Sequence, residues 1–352
     1  MSYKFSVQGY RVIVLEKENQ FGTGVSSRST EVIHAGVYYA ENSLKAKLCL
    51  RGKELLYDFC KTYFVPHKRL GKLFLAVTDK EIPRLEKTKT QAIKNGLTDL
   101  EELDCSQLKK LEPFLNGHAA LLSPSTGIID SHKLMETLLK LSESSGTIYA
   151  VLSPVVGAEK TDDNWTIHIG GRDPAKITSK MIVNAAGLYS LELSKKIFPD
   201  RKIPEPNPVK GGYLRYSGKS PLDHIVYPAV IPGQIEERVD ATPDLAGSLR
   251  FGPSVEGTNG IEDFSLSPEL VDRFTPAIKR YIPDIDESRL HLDQAGIRPK
   301  IKIDGEEVPD FMFEWGPEPG WLDLWGMESP ALTASLAIGE HVMQITKEKV
   351  PV

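Results

Sequence analysis

The sequence predicts a mixed α/β protein in which a nucleotide-binding type of domain is interleaved with a β-rich domain. Residues 10–15 (YRVIVL) form a compact apolar run that ends at the acid Glu16, a pattern typical of a buried parallel strand. Residues 181–186 (MIVNAA) form a second such run, and Gly187 then opens a segment with helical spacing. Residues 201–290 are rich in proline and glycine, and their short apolar runs indicate a β-rich lobe.

Length and composition exclude several classes of protein. The 352 residues correspond to about two domains of ~150 residues each. Forty-three Lys and Arg against 48 Asp and Glu give a net charge of −5, which argues against nucleic acid as the main partner. No run reaches the ~18 apolar residues of a transmembrane segment, and the first residues lack a signal peptide, so a soluble intracellular protein is expected. Three cysteines without a CxxC spacing predict neither a disulfide framework nor a metal site.

Hydrophobic periodicity predicts the remaining elements in chain order. Helices are predicted at 42–61, 81–95, 106–112 and 132–143, and from Ala331 onward. Strands are predicted at 72–77 and 321–325. A hairpin is predicted from 146–156 and 165–169, because the turn-like residues 161–164 separate them.

The acid Glu16 is a candidate functional residue. In dinucleotide-binding folds, the acid at the end of the second strand binds the adenosine ribose roughly 20 residues after a glycine-rich turn. Nine residues precede the predicted strand here, and no GxGxxG occurs; Gly22-Thr23-Gly24 follows the strand and predicts a flexible loop. The first strand of the fingerprint and its turn are therefore missing from this sequence.

Several segments together resemble the flavin-dependent D-amino acid oxidase superfamily, and most closely its L-2-hydroxyglutarate dehydrogenase branch. The resemblance extends over nearly the whole chain after residue 9, and its specificity comes from the order and spacing of the segments. These segments are RVIVLEKE at 11–18, SSRSTEVIHAGVYY at 26–39, SLKAKLCLRG at 43–52, GIIDSHKL at 127–134, IVNAAGLYS at 182–190, GIRPK at 296–300 and ESPALTASLAIGE at 328–340.

The resemblance implies a Rossmann-like FAD-binding domain that is discontinuous in sequence. That domain is expected at 1–66, 127–205 and 291–352, and a β-rich substrate domain at 67–126 and 206–290. FAD is the implied cofactor. Its implied contacts are Glu16 and Lys17 at the ribose, Ser27 and Arg28 near the pyrophosphate and ribityl chain, Ala186, Gly187 and Gly296 at close approaches, and Gly326, Glu328, Ser329, Pro330, Ala331, Leu332 and Thr333 at the flavin end. The N-terminus of the helix at Ala331 would then present free N–H groups to the flavin.

The implied substrate is a 2-hydroxy dicarboxylate such as L-2-hydroxyglutarate, which needs cationic clamps and a base that accepts the hydroxyl proton. Arg298 is the candidate clamp and His34 the candidate base. The alternatives are an ion pair of Arg298 with the protein itself, and a buried His34 that only forms hydrogen bonds. Tyr39, Lys210 and Tyr213 are weaker candidates for lining the substrate pocket.

Departures from the family pattern leave other functions open. The missing glycine turn would remove the N-terminus that holds the FAD pyrophosphate, so FAD retention is in question and a truncated, non-catalytic homologue is one alternative. Asp240 stands where this branch usually has a histidine, and Lys210 where an arginine is expected. An amino-acid or N-methyl amino-acid oxidase of the same fold is the other alternative. The electron acceptor is not predicted, and the resemblance allows a mitochondrial location although no presequence is visible.

Overall fold

The computed structural model describes residues 1–231, 237–258 and 260–349. Its α-helices are α1 (Ser2–Ser6), α2 (Leu44–Tyr63), α3 (Ile82–Lys94), α4 (Cys105–Leu111), α5 (Ser131–Ser144), α6 (Ser190–Ile197), α7 (Glu269–Lys279) and α8 (Ala331–Lys349). Its strands are β1 (Ile13–Leu15), β2 (Val32–Ile33), β3 (His67–Lys68), β4 (Lys72–Ala76), β5 (Glu101–Asp104), β6 (Ala119–Ser123), β7 (Gly127–Ile129), β8 (Ile148–Ala150), β9 (Val155–Thr161), β10 (Asn164–Ile169), β11 (Ala175–Ser179), β12 (Ile182–Asn184), β13 (Glu205–Pro206), β14 (Val209–Tyr216), β15 (Ile225–Pro228), β16 (Ala241–Pro243), β17 (Leu249–Phe251), β18 (Glu256–Gly257), β19 (Leu290–Arg298), β20 (Ile301–Ile303), β21 (Glu306–Glu307), β22 (Met312–Trp315) and β23 (Trp321–Trp325). None of the helices in these ranges is long and apolar enough to span a membrane.

The largest sheet has nine strands and forms the β-rich part of the molecule. Its hydrogen-bonded order is β18-β14-β17-β16-β15-β4-β6-β5, and β19 also pairs with β14. Strand β4 lies inside this sheet, parallel to β15 and antiparallel to β6. Because side chains alternate along a strand, Leu73 and Leu75 enter one core, whereas Phe74 enters a second core on the opposite face. Lys72 lies on the Phe74 face.

The nucleotide-binding type of domain contains two separate small sheets. Strand β1 pairs in parallel with β8, and β12 pairs in parallel with β23, which also carries β22. Within the described ranges no strand pairing joins these two sheets. The prediction of a buried strand at 10–15 is thus wrong in its burial: Ile13 is 43% exposed and Ile148 of β8 is 60% exposed. No described strand covers the second edge of β1.

A buried polar network at Asp323 fixes the segment that follows β12. Asp323 is fully buried on β23, accepts hydrogen bonds from Asn184 Nδ2 at 2.7 Å and Ser194 Oγ at 2.6 Å, and pairs with Arg201 at 2.6 Å. Asn184 also accepts a hydrogen bond from the Ala186 N–H at 3.3 Å. This network therefore sets the course of the chain into the turn at Gly187.

Helices α2 and α8 pack against each other at a glycine. The Ser43 hydroxyl caps α2 by accepting a hydrogen bond from the Ala46 N–H. A Cβ atom at Gly52 would lie 2.5 Å from the Thr333 carbonyl oxygen and 2.6 Å from the Ala334 Cα. Only glycine permits this approach, so α2 fixes the position of the first turn of α8.

Most of the elements predicted from periodicity are confirmed. One predicted hairpin arm is wrong, and one helix was not predicted. The helices at 42–61, 81–95, 106–112 and 132–143 are α2, α3, α4 and α5, and the helix from Ala331 is α8. The segment 146–156 is not one hairpin arm: β8 joins β1, whereas β9 pairs with β10 as predicted. Helix α7 was not predicted, because Pro276 in its interior obscured the spacing of its buried Leu270, Phe274 and Ile278.

The predicted domain ranges remain a prediction. Strands β4–β6 and β14–β18 of the nine-stranded sheet fall within 67–126 and 206–290. Strand β19 belongs to the same sheet, although most of it falls in the range predicted for the FAD-binding domain.

The Gly52 contact gives a test of the α2–α8 packing. Replacing Gly52 with alanine is expected to lower the free energy of unfolding by ~1–3 kcal/mol, because the added methyl group meets backbone atoms that cannot rotate away. Denaturant unfolding monitored by circular dichroism measures the change. Gly257→Ala is the matched control, since a Cβ there meets no atom within 4 Å. Equal stability of the two variants would contradict the packing argument.

Candidate active site

His34 follows strand β2 directly and is tied to the start of α8. Its backbone N–H donates to Thr333 Oγ1 at 3.0 Å, and the Thr333 hydroxyl donates to the Val32 carbonyl at 3.2 Å. The His34 Nε2 lies 3.2 Å from Ser329 Oγ. Thus two residues predicted at the flavin end, Ser329 and Thr333, are in direct contact with the predicted base.

The imidazole of His34 is held in its neutral form. Burial lowers its pKa well below 6.5, and the positive charges of Lys72 and Arg238 lower it further. A neutral imidazole has a free lone pair, so His34 is able to accept a proton at neutral pH.

Cations gather around one carboxylate beside His34. Arg238 pairs with Asp240 at 2.9 Å, and Asp240 is 3% exposed. Burial raises the pKa of Asp240, whereas the charges of Arg238, Lys72 and Arg298 oppose that rise. With Lys72 protonated, the described residues bring three cations to one carboxylate, an excess of two positive charges among them.

Arg298 ends strand β19 and is close enough to Asp240 for its charge to affect that carboxylate. Its Nη2 packs against Gly211, where a Cβ would lie 3.2 Å away. Burial raises the pKa of Tyr213, and the nearby charge of Arg298 lowers it in part. The guanidinium of Arg298 forms no hydrogen bond or ion pair with any described residue. Its guanidinium is therefore available to a ligand, as the clamp hypothesis requires.

The first turn of α8 also presents unused donors. The Ala331 N–H bonds to the Glu328 carbonyl and the Ala334 N–H to that of Pro330, but the N–H groups of Leu332 and Thr333 have no acceptor among the described residues. Donors at a helix N-terminus favour negative charge. The Glu328 carboxylate itself is paired with Lys45 at 2.8 Å, so its role here is to hold the turn that begins at Gly326.

Glu16 and Arg28 are the predicted contacts of the adenosine ribose and of the pyrophosphate and ribityl chain. Glu16 follows β1, and its Oε1 accepts a hydrogen bond from the Glu18 N–H at 2.9 Å. The Arg28 guanidinium lies 3.9 Å from the Phe264 ring, and its Nε is buried without a hydrogen-bond partner. Ser27 Oγ donates to the Gly24 carbonyl at 3.3 Å, and a Cβ at Gly187 (φ +59°) would meet no atom within 4 Å. The unpaired donor at Arg28 and the open space at Gly187 fit a cofactor.

Residues 260–266, the covering segment, contact several of the predicted site residues. Glu262 lies 3.8 Å from Lys17 and accepts a hydrogen bond from Tyr189, while Lys17 lies 3.7 Å from the Tyr189 ring centroid. Lys210 donates to Asp263 and to the Ser265 carbonyl, both at 3.0 Å. The ammonium group of Lys210 is thus engaged by the covering segment and is not brought to the His34 cluster.

Two further predicted residues have structural partners. A Cβ at Gly296 would lie 2.3 Å from the Arg28 carbonyl oxygen, so the close approach at Gly296 is to the protein's own backbone. Tyr39 accepts hydrogen bonds at its carbonyl from Gln91 and Asn95, and burial raises the pKa of its hydroxyl well above 10.

Sequence reasoning missed Lys72, Tyr38 and Tyr227. The signal for Lys72 was present, because a lone lysine stands at the start of the apolar run KLFLAV. A charged residue at the end of a strand is usually exposed, so the pattern alone did not single it out.

The chain is similar to proteins of known family and to solved structures. The FAD dependent oxidoreductase family (DAO) matches residues 3–345. The L-2-hydroxyglutarate dehydrogenase of Arabidopsis thaliana, described as mitochondrial, is 33% identical, with 96% of this chain and 79% of that protein covered. The human enzyme of the same name, also described as mitochondrial, is 28% identical, with 96% of this chain and 83% of that protein covered.

Solved structures share the fold. The dithionite-reduced L-α-glycerophosphate oxidase of Mycoplasma pneumoniae with FAD bound superimposes with a TM-score of 0.86 at 23% identity, covering 98% of this chain and 91% of that chain. The glycine oxidase of Geobacillus kaustophilus gives a TM-score of 0.82 at 18% identity, covering 99% and 91%. With the family match over almost its full length, the chain belongs to the FAD dependent oxidoreductases of the D-amino acid oxidase superfamily.

Proposed function

We propose that this protein oxidises a 2-hydroxy dicarboxylate of the L-2-hydroxyglutarate type to the 2-oxo acid. One observation supports this most directly: the site around His34 holds two unbalanced positive charges beside a neutral base. A dicarboxylate dianion balances that charge. The relatives described as L-2-hydroxyglutarate dehydrogenases, such as that of Caenorhabditis elegans at 31% identity, support the same substrate class.

In this proposal Arg298 binds the carboxylate next to the reacting carbon. A guanidinium donates two parallel hydrogen bonds to one carboxylate, which fixes both the position and the plane of that group. Arg298 spends none of its donors on described residues, and Tyr213 packs beside it. The C2 hydroxyl is then oriented by the clamp rather than by the flexible part of the substrate.

His34 accepts the proton of the C2 hydroxyl. Its neutral state leaves a lone pair free, and its position is fixed by the backbone bond to Thr333 and by the contact of Nε2 with Ser329. Ser329 is able to hold the imidazole orientation as the proton arrives.

The residues present fit FAD. Glu16, Arg28 and Gly187 are placed to hold its adenosine and pyrophosphate portions, and the free N–H groups of Leu332 and Thr333 are placed to face its ring system. When bound, FAD supplies the acceptor for the hydrogen and electron pair that leave C2.

The absorbance spectrum of the purified protein tests the cofactor and the reaction together. After incubation with FAD and desalting, a retained flavin spectrum is expected, and anaerobic L-2-hydroxyglutarate should bleach it. Bleaching by amino acids or N-methyl amino acids but not by hydroxy acids would establish the amine oxidase alternative. A colourless protein would identify the non-catalytic homologue.

Replacing His34 with glutamine tests the base. We expect kcat to fall by ~10²–10⁴-fold, because the substituted amide cannot take up the proton. Steady-state rates with an artificial electron acceptor measure the change, and His118→Gln is the control, since His118 is exposed and pairs with Asp79.

The pH dependence gives a second check on His34. Burial and two cations lower the pKa of His34 below 6.5. We therefore expect protonation of His34 to decrease kcat/KM only when the pH falls below that value. An acid limb centred at or above pH 6.5 that disappears in His34→Gln would contradict the electrostatic argument.

A further inference from the structure

Lys72 is a buried lysine that the chemistry described so far does not use. It is 2% exposed, at the start of β4. Its Nζ lies 3.7 Å from the ring centroid of Tyr227, 5.6 Å from that of Phe74 and 6.0 Å from that of Tyr38. The Lys72 ammonium group forms no hydrogen bond or ion pair with any residue in the described ranges.

Ring contacts do not satisfy an ammonium group. Aromatic faces attract the charge, but three N–H donors remain without oxygen acceptors. Buried charges are ordinarily both paired and hydrogen-bonded, because removing them from water is costly. Tyr38 beside Lys72 is 41% exposed, so the cluster is open to solvent at this ring. The described residues therefore provide no anion to the Lys72 ammonium group.

The described groups around Lys72 do not supply that anion. His34 and Tyr38 follow β2, Cys49 is on α2, Tyr227 is on β15, and Arg238 and Asp240 precede β16. Asp240 is the single carboxylate among these groups: Arg238 forms an ion pair with it at 2.9 Å and donates to its Oδ2 at 3.0 Å, while Oδ1 accepts no hydrogen bond and no ion pair joins Asp240 to Lys72. Burial raises the pKa of the Cys49 thiol to about 12, so this sulfur is uncharged.

We propose that Lys72 binds the second carboxylate of the substrate, the one remote from the reacting carbon, and so selects dicarboxylates over monocarboxylates. The proposal rests on the proposed function and deepens it. Arg298 and Lys72 both act on Asp240 but belong to different strands, β19 and β4. Two cations held on separate strands are available to the two carboxylates of one dianion, whereas a monocarboxylate would leave Lys72 without a partner.

A pH effect follows from the state of the free protein. Burial and the charge of Arg238 lower the pKa of Lys72 to about 7, against the opposing effects of Asp240 and Cys49. Below that pH Lys72 is charged and able to bind the carboxylate. Above it the free protein has lost this charge, so dicarboxylate binding must take up a proton, and kcat/KM falls by up to about tenfold per pH unit.

The experiment compares two substrates that differ only at the remote end. L-2-hydroxyglutarate and L-2-hydroxypentanoate have the same five-carbon chain, but the second has a methyl group in place of the remote carboxylate. For Lys72→Met, we expect kcat/KM for L-2-hydroxyglutarate to fall by about 10²-fold, mainly through KM, with the change for L-2-hydroxypentanoate below about threefold. The fall above pH 7 should be present only for L-2-hydroxyglutarate and only in the unsubstituted protein.

Lys53→Met is the matched control, because Lys53 is another lysine with a pKa lowered by burial, but it donates to Ser125 outside the cluster. Equal losses for both substrates in Lys72→Met, or no loss for either, would overturn the proposal. Methionine preserves the length and apolar stem of lysine, and flavin retention with a thermal melt verifies that the variant is folded.

A binding measurement separates this proposal from the proposed function. If the unsubstituted protein oxidises neither hydroxy acid, the proposed function fails, and calorimetry with glutarate and pentanoate then decides the role of Lys72. Selective loss of glutarate binding in Lys72→Met, together with proton uptake at pH 8 in the unsubstituted protein, supports the carboxylate site. Equal binding of glutarate by both proteins rejects it.

Discussion

The close packing of α2 on the first turn of α8 is the constraint on which the site depends. Gly52 lets the Thr333 backbone approach to a distance that no side chain would tolerate. Thr333 in turn holds the backbone of His34 through its hydroxyl, while its own N–H remains free. A single contact between helices thus fixes the position of His34 relative to the N-terminus of α8. The precision needed for catalysis comes from rigid elements rather than from the loops that connect them.

A second constraint is electrostatic. A protein interior tolerates a buried charge when a partner of opposite sign is close, and the described part of the cluster near His34 has fewer carboxylates than cations. The folded protein therefore carries an electrostatic cost that a bound dianion removes. Such a site discriminates between ligands by their charge. A ligand with too little negative charge leaves a buried cation unpaired, and the free-energy cost of that unpaired cation is larger than the loss of one favourable contact.

Local patterns in the sequence were sufficient for the features that depend on neighbouring residues. The acid after β1, the turn before α8 and the placement of Arg298 between Gly296 and Pro299 could be predicted because each is defined within a few positions. Lys72 could not, because its burial arises only when β15 and β6 pair on both sides of β4. The engagement of Lys210 by Asp263 was hidden for the same reason, since 53 residues separate the partners. The exposure of Ile13 likewise depends on which strands cover β1, and periodicity within β1 does not report that.

The positions of His34 and Lys72 link substrate selection to proton transfer. In the free protein burial, with a further contribution from the charges of Lys72 and Arg238, lowers the pKa of His34 and makes it a weak base. A dicarboxylate cancels much of this positive field when it binds, so the pKa of His34 rises at the moment when a proton must be accepted. A monocarboxylate on Arg298 alone would leave the charge of Lys72 in place and the base weaker. In this proposal Lys72, which binds the remote carboxylate, is also one of the two cations that act on His34, so discrimination is expected in the chemical step as well as in binding.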